Sequence, residues 1–191
     1  MPLRRSPGAT TSASPTSRCK QRHGEANGPP GPLSCRAVTL HLVRHAAAGD
    51  RSRWNGDDLE RPLNERGRLQ AESLADFFTD TPIRAVWSSM ATRCSQTVAP
   101  LAARHERTVE LQRELTEGAR PNELLELMRA EALIDGDLVM CSHGDLIPKV
   151  LNRLIREGMS VIGGRGCERG SVWTLEVRGR DIVSGTYTAT P

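Results

Sequence analysis

Aromatic side chains are scarce: phenylalanine, tryptophan and tyrosine together make 3% of the 191 residues. Nucleic-acid recognition draws on stacking aromatics and on basic groups gathered on one folded face. The charge distribution argues against such a face too. Of the 26 basic and 23 acidic residues, six basic and one acidic fall in positions 1–36, which leaves 20 and 22 for the remainder. The positive excess therefore belongs to the first 36 residues, and the rest is slightly acidic. The five cysteines are odd in number and form no C-x-x-C pair, so neither a disulfide framework nor a thiolate zinc site is indicated. No apolar run approaches the roughly 20 residues of a membrane span, and positions 1–36 lack the continuous apolar stretch of a secretion signal. The expectation is a cytoplasmic protein with reduced thiols and with neither nucleic acid nor membrane as partner.

What is present divides in two. Residues 1–36 are rich in Ser, Thr, Pro, Gly and Arg, with too little apolar surface to offset their ordering entropy, and they read as a disordered tail. A transit peptide, or a translation start near Val38, are the alternatives. From residue 37 to 191 short β-branched or apolar runs alternate with helical periodicity. That pattern predicts one α/β domain: a three-layer sandwich with a mainly parallel central sheet and helices on both faces. Strands are expected at 37–43, 83–88, 108–111 and 137–142. Helices are expected at 64–78, 91–105, 122–133 (opened by Pro121) and 146–157. The runs 171–177 and 182–188, joined through Gly179, predict an antiparallel hairpin at the sheet edge.

Arg-His occurs three times, at Arg22-His23, Arg44-His45 and Arg104-His105, and context separates them. Only Arg44-His45 directly follows a buried parallel strand, and the crevice beyond the carboxyl ends of such strands is where α/β sheets bind ligands. His143 stands at the same kind of position, after Leu138–Ser142 and before Gly144. Arg93 lies in the first turn of the helix beginning near Ala91, where unpaired N–H groups and the helix dipole favour an anion. Two histidines and two arginines at strand ends and a helix start suit a phosphate group.

The segments Leu42-Val43-Arg44-His45-Ala46, Ser89-Met90-Ala91-Thr92-Arg93-Cys94-Ser95-Gln96-Thr97 and Cys141-Ser142-His143-Gly144, in this order, resemble the histidine phosphatase superfamily. The chain is similar to its short bacterial phosphohistidine phosphatases, which share R-H-A in place of R-H-G. Gly56-Asp57-Asp58, Arg61-Pro62-Leu63 with Arg66-Gly67, and Arg169-Gly170-Ser171-Val172-Trp173 also look like the phosphatase domain fused to MutT-type Nudix domains. The resemblance implies that His45 is a nucleophile, accepting phosphate and releasing it to water, while Arg44, Arg93 and His143 stabilise the phosphoryl oxygens. It implies no cofactor and no metal. It also implies a proton donor in an L-x-E pattern, which Leu115-Thr116-Glu117 fits, with Glu114 as the alternative.

The function expected from this is hydrolysis of a phosphomonoester or phosphoanhydride of a small or nucleotide-like substrate. A phosphohistidine protein is the alternative substrate, and a non-catalytic phospholigand-binding regulatory domain is the non-enzymatic alternative. Arg51, Arg53, Arg61, Arg165, Arg169 and Lys149 are candidates for further substrate phosphate contacts, with exposed solubilising charge as the competing reading. His41 reads as a packed strand residue and His105 as a solvated helix end. Trp173 reads as core, and Trp54 as either core or a stacking surface.

Overall fold

The computed structural model describes residues 38–191; the expected tail lies outside the described residues. Seven strands and four helices follow in chain order among them: β1 (Thr39–Arg44), α1 (Glu65–Phe77), β2 (Ile83–Ser88), α2 (Thr92–Arg104), β3 (Val109–Leu111), α3 (Pro121–Glu131), β4 (Asp137–Ser142), α4 (Ile147–Arg156), β5 (Ser160–Ile162), β6 (Val172–Arg178) and β7 (Asp181–Thr188). Their order across the sheet is β3-β2-β4-β1-β6-β7-β5. Four pairings are parallel, and β6 runs antiparallel to both β1 and β7.

Alternation along the strands builds two cores. On one face Leu40 and Leu42 of β1 and Leu138 and Met140 of β4 meet Leu124, Leu125 and Met128 of α3 and Ile147, Val150, Leu151 and Leu154 of α4. On the other, Val43, Val86, Val139 and Cys141 meet Leu74 and Phe78 at α1 and Cys94, Val98 and Leu101 of α2. Each such aliphatic or aromatic side chain contributes about 1.5–3 kcal/mol when fully buried. All six residues of β4 are buried, as a strand covered on both faces requires. The expected three-layer class is therefore the observed one.

The helix boundaries follow local chemistry. Asn64 caps α1 by accepting from Gly67 N–H at 2.9 Å, and Pro121 opens α3 where its missing N–H costs nothing. Gly179, at φ +63°, supplies the left-handed residue of the two-residue β6–β7 turn. The hairpin does not border the sheet, however: β5, parallel to β7, lies outside it. Three residues, Ser-Val-Ile, carry too little period to be read as a strand. His41 is buried, T-shaped against Phe78 at a centroid distance of 4.8 Å, with Nδ1 3.3 Å from Thr174 Oγ1 and Nε2 3.8 Å from Asp137 Oδ2. His105 is half-buried, with Nε2 shielded from solvent, rather than solvated. No helix among the described residues is long and apolar enough to cross a membrane.

Candidate active site

Parallel strands end at the same side of a sheet, and this fact assembles the site. Register pairs Arg44 with Ser142 and Ser88 with Cys141, so His45, Ser89 and His143 leave three adjacent strands at one level. His45 N–H still donates to Ser142 O, and Ser89 N–H to Cys141 O, both at 3.0 Å.

The loop after β1 is held from both helices of the α1/α2 face. Ala46 N–H donates to Thr97 Oγ1 and Ala47 N–H to Gln70 Oε1, each at 2.9 Å. Gly67 permits the approach of α1, since a Cβ there would stand 1.9 Å from Ala47 O. Ala46 is fully buried beside Leu63 and Ala71, which gives the alanine of Arg44-His45-Ala46 a packing role. Three polar side chains of the Ser89–Thr97 stretch hold the site's loops. Ser89 Oγ lies 2.8 Å from His143 Nε2, and Gln96 Oε1 accepts from Leu63 N–H at 2.9 Å. Thr97 Oγ1 donates to Arg93 O at 2.6 Å while accepting from Ala46.

His45 is 8% exposed and its Nδ1 lies 2.9 Å from Ala46 O. A carbonyl can only accept, so Nδ1 carries the proton and Nε2 keeps its lone pair. Burial lowers the imidazole pKa from 6.5 to about 3; the Ala46 hydrogen bond opposes the shift, and His143, Arg93 and Arg44 add to it. Burial thus leads and the neighbouring cations assist. The rings of His45 and His143 meet edge-on, with centroids 5.3 Å apart and planes at 61°.

Arg93 is 2% exposed and densely bonded: Nη1 donates to Asp58 O at 2.7 Å and Nη2 to Glu117 Oε2 at 2.8 Å. Asp58 also receives Arg61 Nε at 2.9 Å and lies 3.5 Å from Arg51 Nε; the Arg61 hydrogen bond holds its carboxyl below the usual range. Asp58 joins three of the arginines, a function that the sequence showed only as part of a Gly-Asp-Asp run. Arg44 Nη1 donates to Cys167 O, and its guanidinium lies over Gly144, where a Cβ would stand 2.6 Å from Arg44 Cζ.

One cavity of about 600 Å³ is lined by eight of the sequence candidates: Arg44, His45, Arg51, Arg61, Arg93, Glu117, His143 and Arg169. Asp50, Asn64, Gly144 and Asp145 join them, and of these only Gly144 had a sequence signal, as the residue following His143. Arg53, Arg165 and Lys149 do not line it. Glu114 also lies outside; it pairs with Arg113 at 2.9 Å, and that hydrogen bond lowers its pKa. Trp173 is core, with Nε1 donating to Gly166 O at 2.8 Å, and Trp54 Nε1 donates to Asp57 O at 2.8 Å.

A family model described as histidine phosphatase superfamily (branch 1) matches residues 40–120, which contain His45, Arg93 and Glu117. Over these residues the chain belongs to this superfamily. His143 lies beyond the matched residues and reaches the same cavity through β4. Among curated proteins the chain is similar to an 8-oxo-(d)GTP phosphatase of Mycolicibacterium smegmatis, 32% identical over 160 residues, covering 80% of this chain and 48% of that protein. The chain spans about half the length, or less, of the curated relatives it matches. The solved protein histidine phosphatase SixA in complex with tungstate aligns with a TM-score of 0.64 at 17% identity, covering 79% of this chain and 94% of its own. A mycobacterial glucosyl-3-phosphoglycerate phosphatase aligns at 0.55 and 19% identity, covering 80% and 97%. At these identities the likeness of the two structures is one of fold.

Proposed function

We propose that this histidine phosphatase domain hydrolyses a phosphomonoester or phosphoanhydride of a small or nucleotide-like substrate through a phosphohistidine on His45, without a metal ion. The observation that carries the reading is the state of His45: a buried, neutral imidazole whose Nδ1 is committed to Ala46 O, in a cavity shared with Arg44, Arg93 and His143. In the first step Nε2 attacks phosphorus, the bond to the leaving oxygen breaks, and Glu117 gives that oxygen a proton. In the second, water attacks the phosphohistidine, its proton passes to Glu117, and the P–N bond electrons return to Nε2. Arg44, Arg93 and His143 hold the equatorial oxygens throughout, and planar guanidinium forks suit that geometry.

The substrate class rests on three observations. The cavity volume of about 600 Å³ is that of a site for small ligands. Arg51, Arg61 and Arg169 on its lining add positive charge suited to a second phosphate or another anionic group. The similarity to a protein named for 8-oxo-(d)GTP favours a nucleotide. Comparison of kcat/KM across nucleoside diphosphates, sugar phosphates and a phosphorylated histidine carrier decides among the classes, and a carrier preferred over every small substrate would overturn this one.

Brief incubation with a ³²P-labelled donor should label the protein in an acid-labile, base-stable way, and His45→Ala should remove both label and turnover. Unchanged turnover in that variant would end the mechanism. A chelator should leave the rate unaltered, whereas restoration of a chelated enzyme by a divalent ion would assign the chemistry to a metal.

A further inference from the structure

Two hydrogen bonds tie the loop bearing Glu117 to the segment bearing His143, one on each side of both residues. Ser142 Oγ donates to Leu115 O at 2.7 Å, and Gly118 N–H donates to Asp145 Oδ2 at 3.0 Å. Ser142 and Asp145 bracket His143 in sequence as Leu115 and Gly118 bracket Glu117. Between the two ties, Glu117 Oε2 stands 4.0 Å from His143 Nδ1. The loop itself is a tight turn, with Ala119 N–H on Thr116 O at 3.0 Å and Gly118 at φ +82°. The turn leaves Gly118 N–H without an internal acceptor, and Asp145 takes it.

These ties matter because of what else holds Glu117. Its side chain is 40% exposed, and the hydrogen bonds that reach it among the described residues come from Arg93 at 2.8 Å and Arg51 at 3.4 Å, two cations that a substrate phosphate would compete for. Once they turn to the phosphoryl oxygens, the carboxyl's place depends on its backbone. Asp145 is unusual in its own right: it forms no ion pair within 4.0 Å among the described residues, and its Oδ1 is shielded from solvent with no partner. A shielded acceptor without a donor is destabilising, so the charge-assisted bond to Gly118 persists against a penalty that an apolar residue would avoid.

We propose that Asp145 is a positioning residue for the general acid, holding Glu117 over the leaving oxygen, with Ser142 as the second tie. The proposal rests on Glu117 being the acid. A displaced acid slows esters whose leaving group needs a proton and hardly affects those whose leaving group departs as a stable anion.

The test compares glycerol phosphate with p-nitrophenyl phosphate for Asp145→Ala, Asp145→Asn, Ser142→Ala and Glu117→Gln in the full chain. Asp145→Ala should lower kcat on glycerol phosphate at least about tenfold more than on p-nitrophenyl phosphate, a part of the roughly 10²–10⁴ that general acid catalysis supplies. Asp145→Asn, whose amide oxygen can still accept from Gly118, should recover most of the difference. Ser142→Ala should show the same ester selectivity as Asp145→Ala, and Asp145→Ala should add no selectivity in the Glu117→Gln background. Equal losses on both esters in Asp145→Ala and in Ser142→Ala would overturn the positioning role. If Glu117→Gln itself shows no ester selectivity, the acid assignment falls and the proposal falls with it. Selectivity in Glu117→Gln without it in Asp145→Ala sinks the positioning role alone.

Discussion

Replacing His45 with glutamine should remove a specific part of the domain's sensitivity to acid. In the unfolded chain the imidazole takes up a proton as pH falls through 6.5, whereas in the folded domain burial delays that uptake to about pH 3. The unfolded state therefore binds more protons between these values, so folding loses stability as pH falls from 6.5, and the loss is complete below 3. Across the whole window the shift corresponds to about 5 kcal/mol, and between pH 7 and pH 5 to about 2 kcal/mol. The latter is a sizeable share of the roughly 5–15 kcal/mol that holds a typical domain together. Glutamine at 45 has no such proton, while every other titrating group stays. Urea unfolding can be followed through the fluorescence of the buried Trp87 and Trp173. The stability of the wild type relative to His45→Gln should then fall by about 2 kcal/mol on going from pH 7 to pH 5. The same difference at both pH values would mean that His45 is solvated, and the account of a neutral buried nucleophile would fail.

Gly144→Ala should leave the fold intact and damage catalysis. The new Cβ meets the mobile end of Arg44, at 2.6 Å from Cζ, so the guanidinium moves instead of the backbone. Loss of one preorganised donor predicts a fall in kcat/KM on the order of 10²-fold, with an unchanged urea midpoint. In Gly67→Ala the clash is with Ala47 O, which is backbone, so this variant should lose about 1–3 kcal/mol of stability as well as activity, read from the same urea titration.

The positions of the elements were legible in the sequence because each carried its own local signal. The apolar run 138–142 was unmistakable as a buried strand, Pro121 marked a helix start, and Gly179 marked a turn. So was the core of the site, because His45 and His143 each follow a buried strand, and a parallel sheet brings such ends together without further information. The strand β5 escaped because three residues cannot show a period and its pairing with β7 is a tertiary event. Which of Glu117 and Glu114 lines the cavity also waited for the fold. Both are carboxylates near the same strand, but Glu114 turns to Arg113 while Glu117 lines the cavity. Asp58 showed only as part of a Gly-Asp-Asp run and Asp145 carried no signal, since a carboxylate's neighbours across 35 residues to Arg93 or 27 to Gly118 are decided only when the chain closes. For the Arg44-His45 pair, sequence order determined which of three such dipeptides stands at a strand end. The burial that keeps His45 neutral, and the loop ties that hold Glu117 near His143, are properties of packing between distant segments, and only the tertiary structure could decide them.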